Sequence, residues 1–265
     1  MYQYSLEFFT RLFKMRLERS EASDEIERRL IILIDDITKQ FYLSICRGLF
    51  ERDKLLYSFL NAAQILMRAE KINLEEWNYF LRGSVFDYRD KENKSTDYLT
   101  DEQWHACLGL EDCHENFKGL GSSVSDVGDK PIWKEIVNSE TPWIVDFPAV
   151  FEAKLSPFQK TMVLNVLKRT KLMGSIKEFV KAEQGAFFIE SPPFDLEGCL
   201  EDSSNITPII FVLSPGADPI AYLKNLAVQK GMDKKLESIS LGQGQDVIAE
   251  KLIEEGSRNG SWICL

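Results

Sequence analysis

Between Pro208 and Ala227 the chain reads PIIFVLSPGADPIAYLKNLA. A β-branched apolar run stops in Ser214, Pro215, Gly216, Ala217, Asp218 and Pro219, and an amphipathic helical pattern follows. That is the layout of a loop whose backbone amides, gathered at a helix N-terminus, hold phosphate. The chemistry asks for glycines that let the amides converge, a lysine for the outer phosphates and a Ser or Thr hydroxyl for magnesium. This stretch supplies one glycine. Pro215 and Pro219 have no amide to donate, and Asp218 sets a negative charge where a polyanion would sit. Lys224 falls more than a turn into the helix, where a solvated position is expected. The turn therefore keeps a strand-to-helix geometry without the ligand chemistry, and no bound cofactor is expected at it. A working site would also need a carboxylate after the run SWICL, and none lies within the chain.

Other chemically capable residues carry weaker signals. Gly242, Gln243, Gly244 and Gln245 form a second glycine cluster, read as a tight turn with Gln245 or Asp246 near a helix start. Glu254 and Glu255 are adjacent on a helix and do not converge on one substrate atom. Both histidines of the chain, His105 and His114, stand beside Cys107 and Cys113 in WHACLGLEDCHE. The two-residue step from His105 to Cys107 turns these side chains to different sides of a helix, so buried thiols are expected there and no metal site. No Ser/His/Asp or Cys/His arrangement is arguable, and no catalytic residue is expected.

Bulk properties narrow the class. The chain has 265 residues and a formal net charge of -10, from 32 Lys and Arg against 42 Asp and Glu. That balance gives no support to nucleic-acid binding and little to attraction by an anionic membrane. No apolar run is long enough to span a bilayer, no signal-peptide order is present, and the five cysteines form no CxxC pair, so an intracellular, reduced protein is expected.

Two kinds of element must position these residues. Over the first two-thirds of the chain, and on to a short helix ended by Gly185, the pattern is helical. Leu6, Phe9, Phe13 and Leu17 share one face, and Ile26, Leu30, Leu33, Ile34 and Ile37 share the next, with a helix start at Ser23 to Glu25. Aromatics at helical spacing, Phe9, Phe13, Phe41 and Phe59 among them, read as core. Capping signals follow at Asn73 with Glu76, Thr100 with Gln103 and Ser156 ahead of Pro157; Pro131 opens a helix, and Gly83 and Gly185 close two. Ser84 to Thr100 reads as a surface loop. From Ile206 the period changes: ITPIIFVL, LESISL and GSWICL are expected as three parallel strands joined by helices, about half of an α/β domain and so a piece of something longer.

Together, MYQYSLEFFTRLF, ICRGLFERDKLLYSFLNAAQILM, LSPFQKTMVLNVLKRTK, FVLSPGADPIAYLKNLA and LESISLGQGQDVIAEKLIEEGSRNGSWICL resemble dynein heavy chains, in wording closer to axonemal than to cytoplasmic members. The resemblance spans nearly the whole chain, least in Ser84 to Gly128. It implies a mostly helical α/β protein, a helical bundle followed by an incomplete parallel-sheet P-loop-like AAA+ core. Residues 1–83 would be the helical small subdomain of a fifth AAA+ module. Residues 84–205 would lead into a sixth, and 206–265 would be its partial core with a degenerate phosphate loop at Ser214 to Pro219. The implied role is a non-catalytic, structural segment that relays conformational change around the ring of a ciliary motor. ATP and magnesium would be held by other modules, neighbouring AAA+ modules would be its direct partners, and microtubules and intermediate and light chains would be contacted by other parts of the parent. The implied location is cytoskeletal, in the axoneme. A self-standing nucleotide-binding or weak NTPase domain with an atypical loop is the alternative.

Overall fold

The computed structural model describes residues 2–190, 192, 194–204, 207–213, 216, 218–242 and 244–265, with side chains from Leu6 onward. The described chain is mostly helical. In order it forms α1 (Tyr2–Arg19), α2 (Ile26–Cys46), α3 (Glu51–Arg68), α4 (Leu74–Arg82), α5 (Asp101–Cys113), α6 (Leu120–Ser123), α7 (Lys130–Asn138), α8 (Ala149–Lys154), α9 (Pro157–Leu167), α10 (Leu172–Gln184), α11 (Leu196–Asp202), α12 (Pro219–Gln229), β1 (Leu236–Ser238), α13 (Asp246–Asn259) and β2 (Trp262–Cys264). It divides into two compact units, Met1–Pro192 and Pro193–Leu265.

The first unit is helix packed on helix. Its aromatic centre joins elements far apart in sequence: Phe59 of α3 lies 5.9 Å from Trp77 and 5.3 Å from Phe80 of α4, and 5.7 Å from Phe179 of α10. Phe158 of α9 closes the cluster, 5.5 Å from Phe80 and 5.7 Å from Phe179. Trp133, Ile136, Phe117, Leu120 and Val124 are wholly buried in the same continuous core. Tilted and edge-on ring pairs of this kind add to simple area burial. The core runs through Gly83 without interruption, and the second unit begins at residue 193, ahead of the change of period expected at Ile206.

Local signals placed the helix ends. Asn73 with Glu76, Thr100 with Gln103 and Ser156 with Gln159 each form a reciprocal capping box. Pro131 opens α7 in its first turn, and Gly83 and Gly185 close α4 and α10. At α2 the expected start is right in place but not in detail: Glu25 is the N-cap, no side chain caps it, and Ser23 Oγ accepts from the Glu25 amide at 3.3 Å. The Ser84 to Thr100 loop has no regular helix or strand, yet it is pinned. Asn93 Nδ2 donates to the Leu99 carbonyl at 3.0 Å, and the buried Ser95 hydroxyl donates to the Val124 carbonyl at 3.0 Å.

The helical hairpin of α1 and α2 corrects one expectation. Phe59 is core, but Phe9 and Phe13 are 44% and 39% exposed, and Leu6, Leu17, Ile26, Leu30 and Ile34 are exposed as well. A hairpin is two helices thick, so each helix covers only one flank of the other's apolar stripe. What holds the pair is partly polar. Arg16 grips Asp36 with two hydrogen bonds of 2.7 Å, and Arg29 Nη2 donates to the Leu17 carbonyl at 2.7 Å near the end of α1.

The second unit contains the sheet. β1 and β2 pair in parallel with Leu236 opposite Trp262 and Ser238 opposite Cys264. A crossover helix, α13, connects them, as parallel pairing requires. It lies so close to β2 that a Cβ on Gly256 would stand 2.8 Å from the Ile263 side chain. Of the three strands expected, these two form. Residues 208–213 make no strand, and Ile210 and Val212 are 81% and 79% exposed. Apolarity creates a demand for burial, whereas a strand exists only where a neighbour offers N–H and C=O groups in register. Neither β1 nor β2 offers them to this run.

Candidate functional site

The turn after residues 208–213 was the strongest chemical signal, and Gly216, Asp218 and Pro219 of it are described; Ser214, Pro215 and Ala217 lie outside the described residues. Gly216 has φ +84°, a left-handed conformation that a glycine adopts without strain. Asp218 is the N-cap of α12, and its Oδ1 accepts from the Ala221 amide at 3.1 Å. Pro219 occupies the first helical turn.

This arrangement decides what the helix N-terminus has left to give. The first amides of a helix have no intrahelical partner, and a phosphate-binding loop points them at its ligand. Here Asp218 takes the Ala221 amide for itself, and Pro219 has none. The carboxylate expected to set a negative charge against a polyanion is the N-cap of α12. The signal was available, because Asp followed by Pro is an N-cap followed by the residue best suited to the first helical position. Lys224 is exposed on α12.

The remaining candidates disperse. Gln245 N donates to the Gly242 carbonyl at 3.1 Å and Gly244 has φ +81°, a tight turn ahead of Asp246, the first residue of α13; Gln243 lies outside the described residues. Glu254 and Glu255 are exposed. His105 Nε2 sits 3.0 Å from the Lys91 carbonyl, while His114 Nδ1 accepts from the Asn116 amide at 3.1 Å. Cys107 is wholly buried, and burial, with the Glu111 charge, pushes its thiol up to about 12. Among the described residues no group of three or more His, Cys, Asp or Glu side chains could hold a metal ion, and no helix is long and apolar enough to cross a membrane.

Fold and turn thus define a mostly helical α/β segment whose C-terminal unit carries a small parallel sheet and a helix, α12, capped at its N-terminus by Asp218. Residues 204–265 match the family model described as the dynein heavy chain region D6 P-loop domain. Over 268 residues, covering all of this chain, it is 36% identical to a flagellar protein of Chlamydomonas reinhardtii, the dynein-1-beta heavy chain of the inner arm I1 complex. It is 36% identical to human dynein axonemal heavy chain 1 over 99% of its length, and 39% identical to human dynein axonemal heavy chain 12 over 91%. The chain belongs to the dynein heavy-chain family and matches its axonemal members. It spans only 6% of the first two relatives and 8% of the third.

Proposed function

We propose that this chain is a structural, non-catalytic segment of an axonemal dynein heavy chain, a member of the AAA+ ring of a motor that works in cilia and flagella. Residues 1–83 belong to the small subdomain of a fifth module, 84–205 lead into a sixth, and 206–265 form part of that sixth module's α/β core around a degenerate phosphate loop. Its partners are the neighbouring modules. ATP and magnesium are bound elsewhere in the parent, as are microtubules and the intermediate and light chains. Its work is to pass displacement between modules through helices that move as bodies, a role to which the continuous core running from Tyr42 to Phe188 is suited.

The observation that carries this reading is the capped turn: Asp218 accepting from Ala221 at 3.1 Å, with Pro219 beside it. A carboxylate already seated on the helix amide repels a polyphosphate and competes for its donor. Titration calorimetry of the chain with Mg-ATP is the test, with no saturable heat expected. Micromolar binding that Gly216→Val abolished would replace this reading with that of a nucleotide-binding domain with an atypical loop.

A further inference from the structure

Two of the capping boxes are joined to each other. In α4, Glu76 Oε2 accepts from the Asn73 amide at 2.9 Å, and in α9, Gln159 Oε1 accepts from the Ser156 amide at 3.0 Å. Each is the ordinary reach of a third-position side chain back to its own N-cap. Each side chain then has one group left over, and these meet: Gln159 Nε2 donates to Glu76 Oε1 at 2.6 Å, across 83 positions of sequence. Glu76 and Gln159 are 3% and 4% exposed.

The surroundings fix the polarity of this bond. Asn116 Nδ2 donates to Gln159 Oε1 at 2.9 Å, and the remaining Gln159 N–H faces His114 Nδ1 at 3.3 Å, itself an acceptor for the Asn116 amide. Turning the Gln159 amide over would set its oxygen against the Glu76 carboxylate and its nitrogen against two donors. One orientation satisfies every group, the condition under which a buried polar network specifies a single arrangement. No salt bridge reaches Glu76 among the described residues, so the Gln159 amide is its partner from outside α4.

We propose that the Glu76–Gln159 bond is a clasp that makes α4 and α9 one rigid piece, so that α9 cannot shift without uncapping α4. Its mechanical meaning rests on the reading above. There, α4 belongs to one module and α9 to the approach of the next, and the clasp is the point at which displacement crosses between them. Packing of Phe80 against Phe158 sets the helices side by side, but apolar contacts tolerate sliding, whereas a buried carboxylate does not give up its donor without cost.

The chemistry allows the clasp to be opened without deleting a side chain that can close either box. Glu and Gln both close a capping box, so Gln159→Glu keeps the Ser156 amide bonded while setting two carboxylates face to face. The combined exchange Glu76→Gln with Gln159→Glu restores a donor opposite an acceptor and leaves both boxes intact, losing only the 3.3 Å contact with His114 Nδ1. The experiment is residue-resolved amide exchange by NMR on the 265-residue chain. Gln159→Glu is expected to speed exchange at the Asn73 and Glu76 amides by roughly fivefold or more, the change a lost cap corresponds to, while the Ser156 amide stays protected. The double exchange returns the Asn73 and Glu76 amides to within about twofold of the parent chain. Unchanged exchange at Asn73 in Gln159→Glu overturns the clasp. If the single variant does not fold, a folded double variant supports the clasp and an unfolded one overturns it. Nucleotide binding is untouched by these outcomes, so failure of the clasp and failure of the structural reading are seen in separate experiments.

Discussion

Gly174 lies directly beneath the Trp143 ring: a Cβ at position 174 would stand 2.1 Å from two carbons of the indole. Gly174 is in the first turn of α10 and Trp143 in a short turn at Pro142–Ile144, so the missing side chain is what lets the segment before α8 lie against α10. Gly174→Ala favours the helix itself, since alanine is the better helix former. The clash is expected to outweigh that gain, because the indole has to turn away from its packing against α10 to make room. The expected cost is about 1–3 kcal/mol in urea unfolding, with altered tryptophan emission in the folded state. A variant as stable as the parent would mean that the ring has somewhere else to go.

At the capped turn, Asp218→Ala removes the oxygen that accepts from Ala221. A lost N-cap typically costs about 1 kcal/mol, and Asp218→Ser, which keeps an acceptor, is expected to recover most of it. Removing the charge does not create a nucleotide site, because Pro219 still lacks an amide and no lysine stands in the loop. Both variants are expected to remain silent in Mg-ATP calorimetry. Saturable binding gained by Asp218→Ala would show that the carboxylate alone had been blocking a competent loop.

The legible and illegible parts of the molecule separate by sequence range. Capping boxes at Asn73, Thr100 and Ser156, the helix-opening Pro131 and the closing Gly83 and Gly185 act over four or five positions, and their residue types state their conformations. β1 and β2 were legible as strands. Residues 208–213 were not correctly read, because an apolar run announces burial while a ladder depends on a neighbour that the run does not encode. Phe9 and Phe13 failed for a related reason: periodicity defines a face and is silent on what covers it. Asn93 and Ser95 anchor a loop with no period to betray them. The Glu76–Gln159 bond, 83 positions apart, lay beyond any local rule, although each residue was already part of a recognisable cap. At the turn itself, the Asp-Pro pair encodes an N-cap as well as a charge, and phosphate chemistry speaks only to the charge.

The hairpin of α1 and α2 makes a local prediction. Arg29 Nη1 donates to the Ser20 carbonyl at 3.3 Å and also to that of Glu21, while Nη2 reaches Leu17. These carbonyls lie at and beyond the end of α1, where helices leave acceptors unsatisfied and a cation is favoured. Arg29→Ala is expected to fray the last turn of α1, with faster amide exchange confined to residues 14–22. Because the site is largely exposed, the global cost is expected to stay below about 1 kcal/mol. Global unfolding at the same denaturant shift as a core truncation would contradict a purely local role.

Alkaline titration reports on the core. Burial pushes the Cys107 thiol up to about 12; burial, with the charges of Glu76 and Glu75, does the same for Cys113, and burial holds the Tyr42 phenol up to about 12. A raised value means that the folded chain keeps a proton which the unfolded chain releases near the ordinary thiol or phenol value. Stability from these groups is therefore complete below about pH 8.5, where an unfolded thiol is still protonated. It is lost progressively as pH rises toward 12. The midpoint of urea unfolding is expected to be flat from pH 7 to about 8.5 and to fall above it, and Cys107→Ala is expected to flatten part of the slope. In the folded chain Cys107 is expected to resist iodoacetamide at about pH 8, because the thiolate, not the thiol, is the nucleophile. Labelling of Cys107 as fast as that of a free thiol, without unfolding, would mean that the seam between α5 and its neighbours opens on its own.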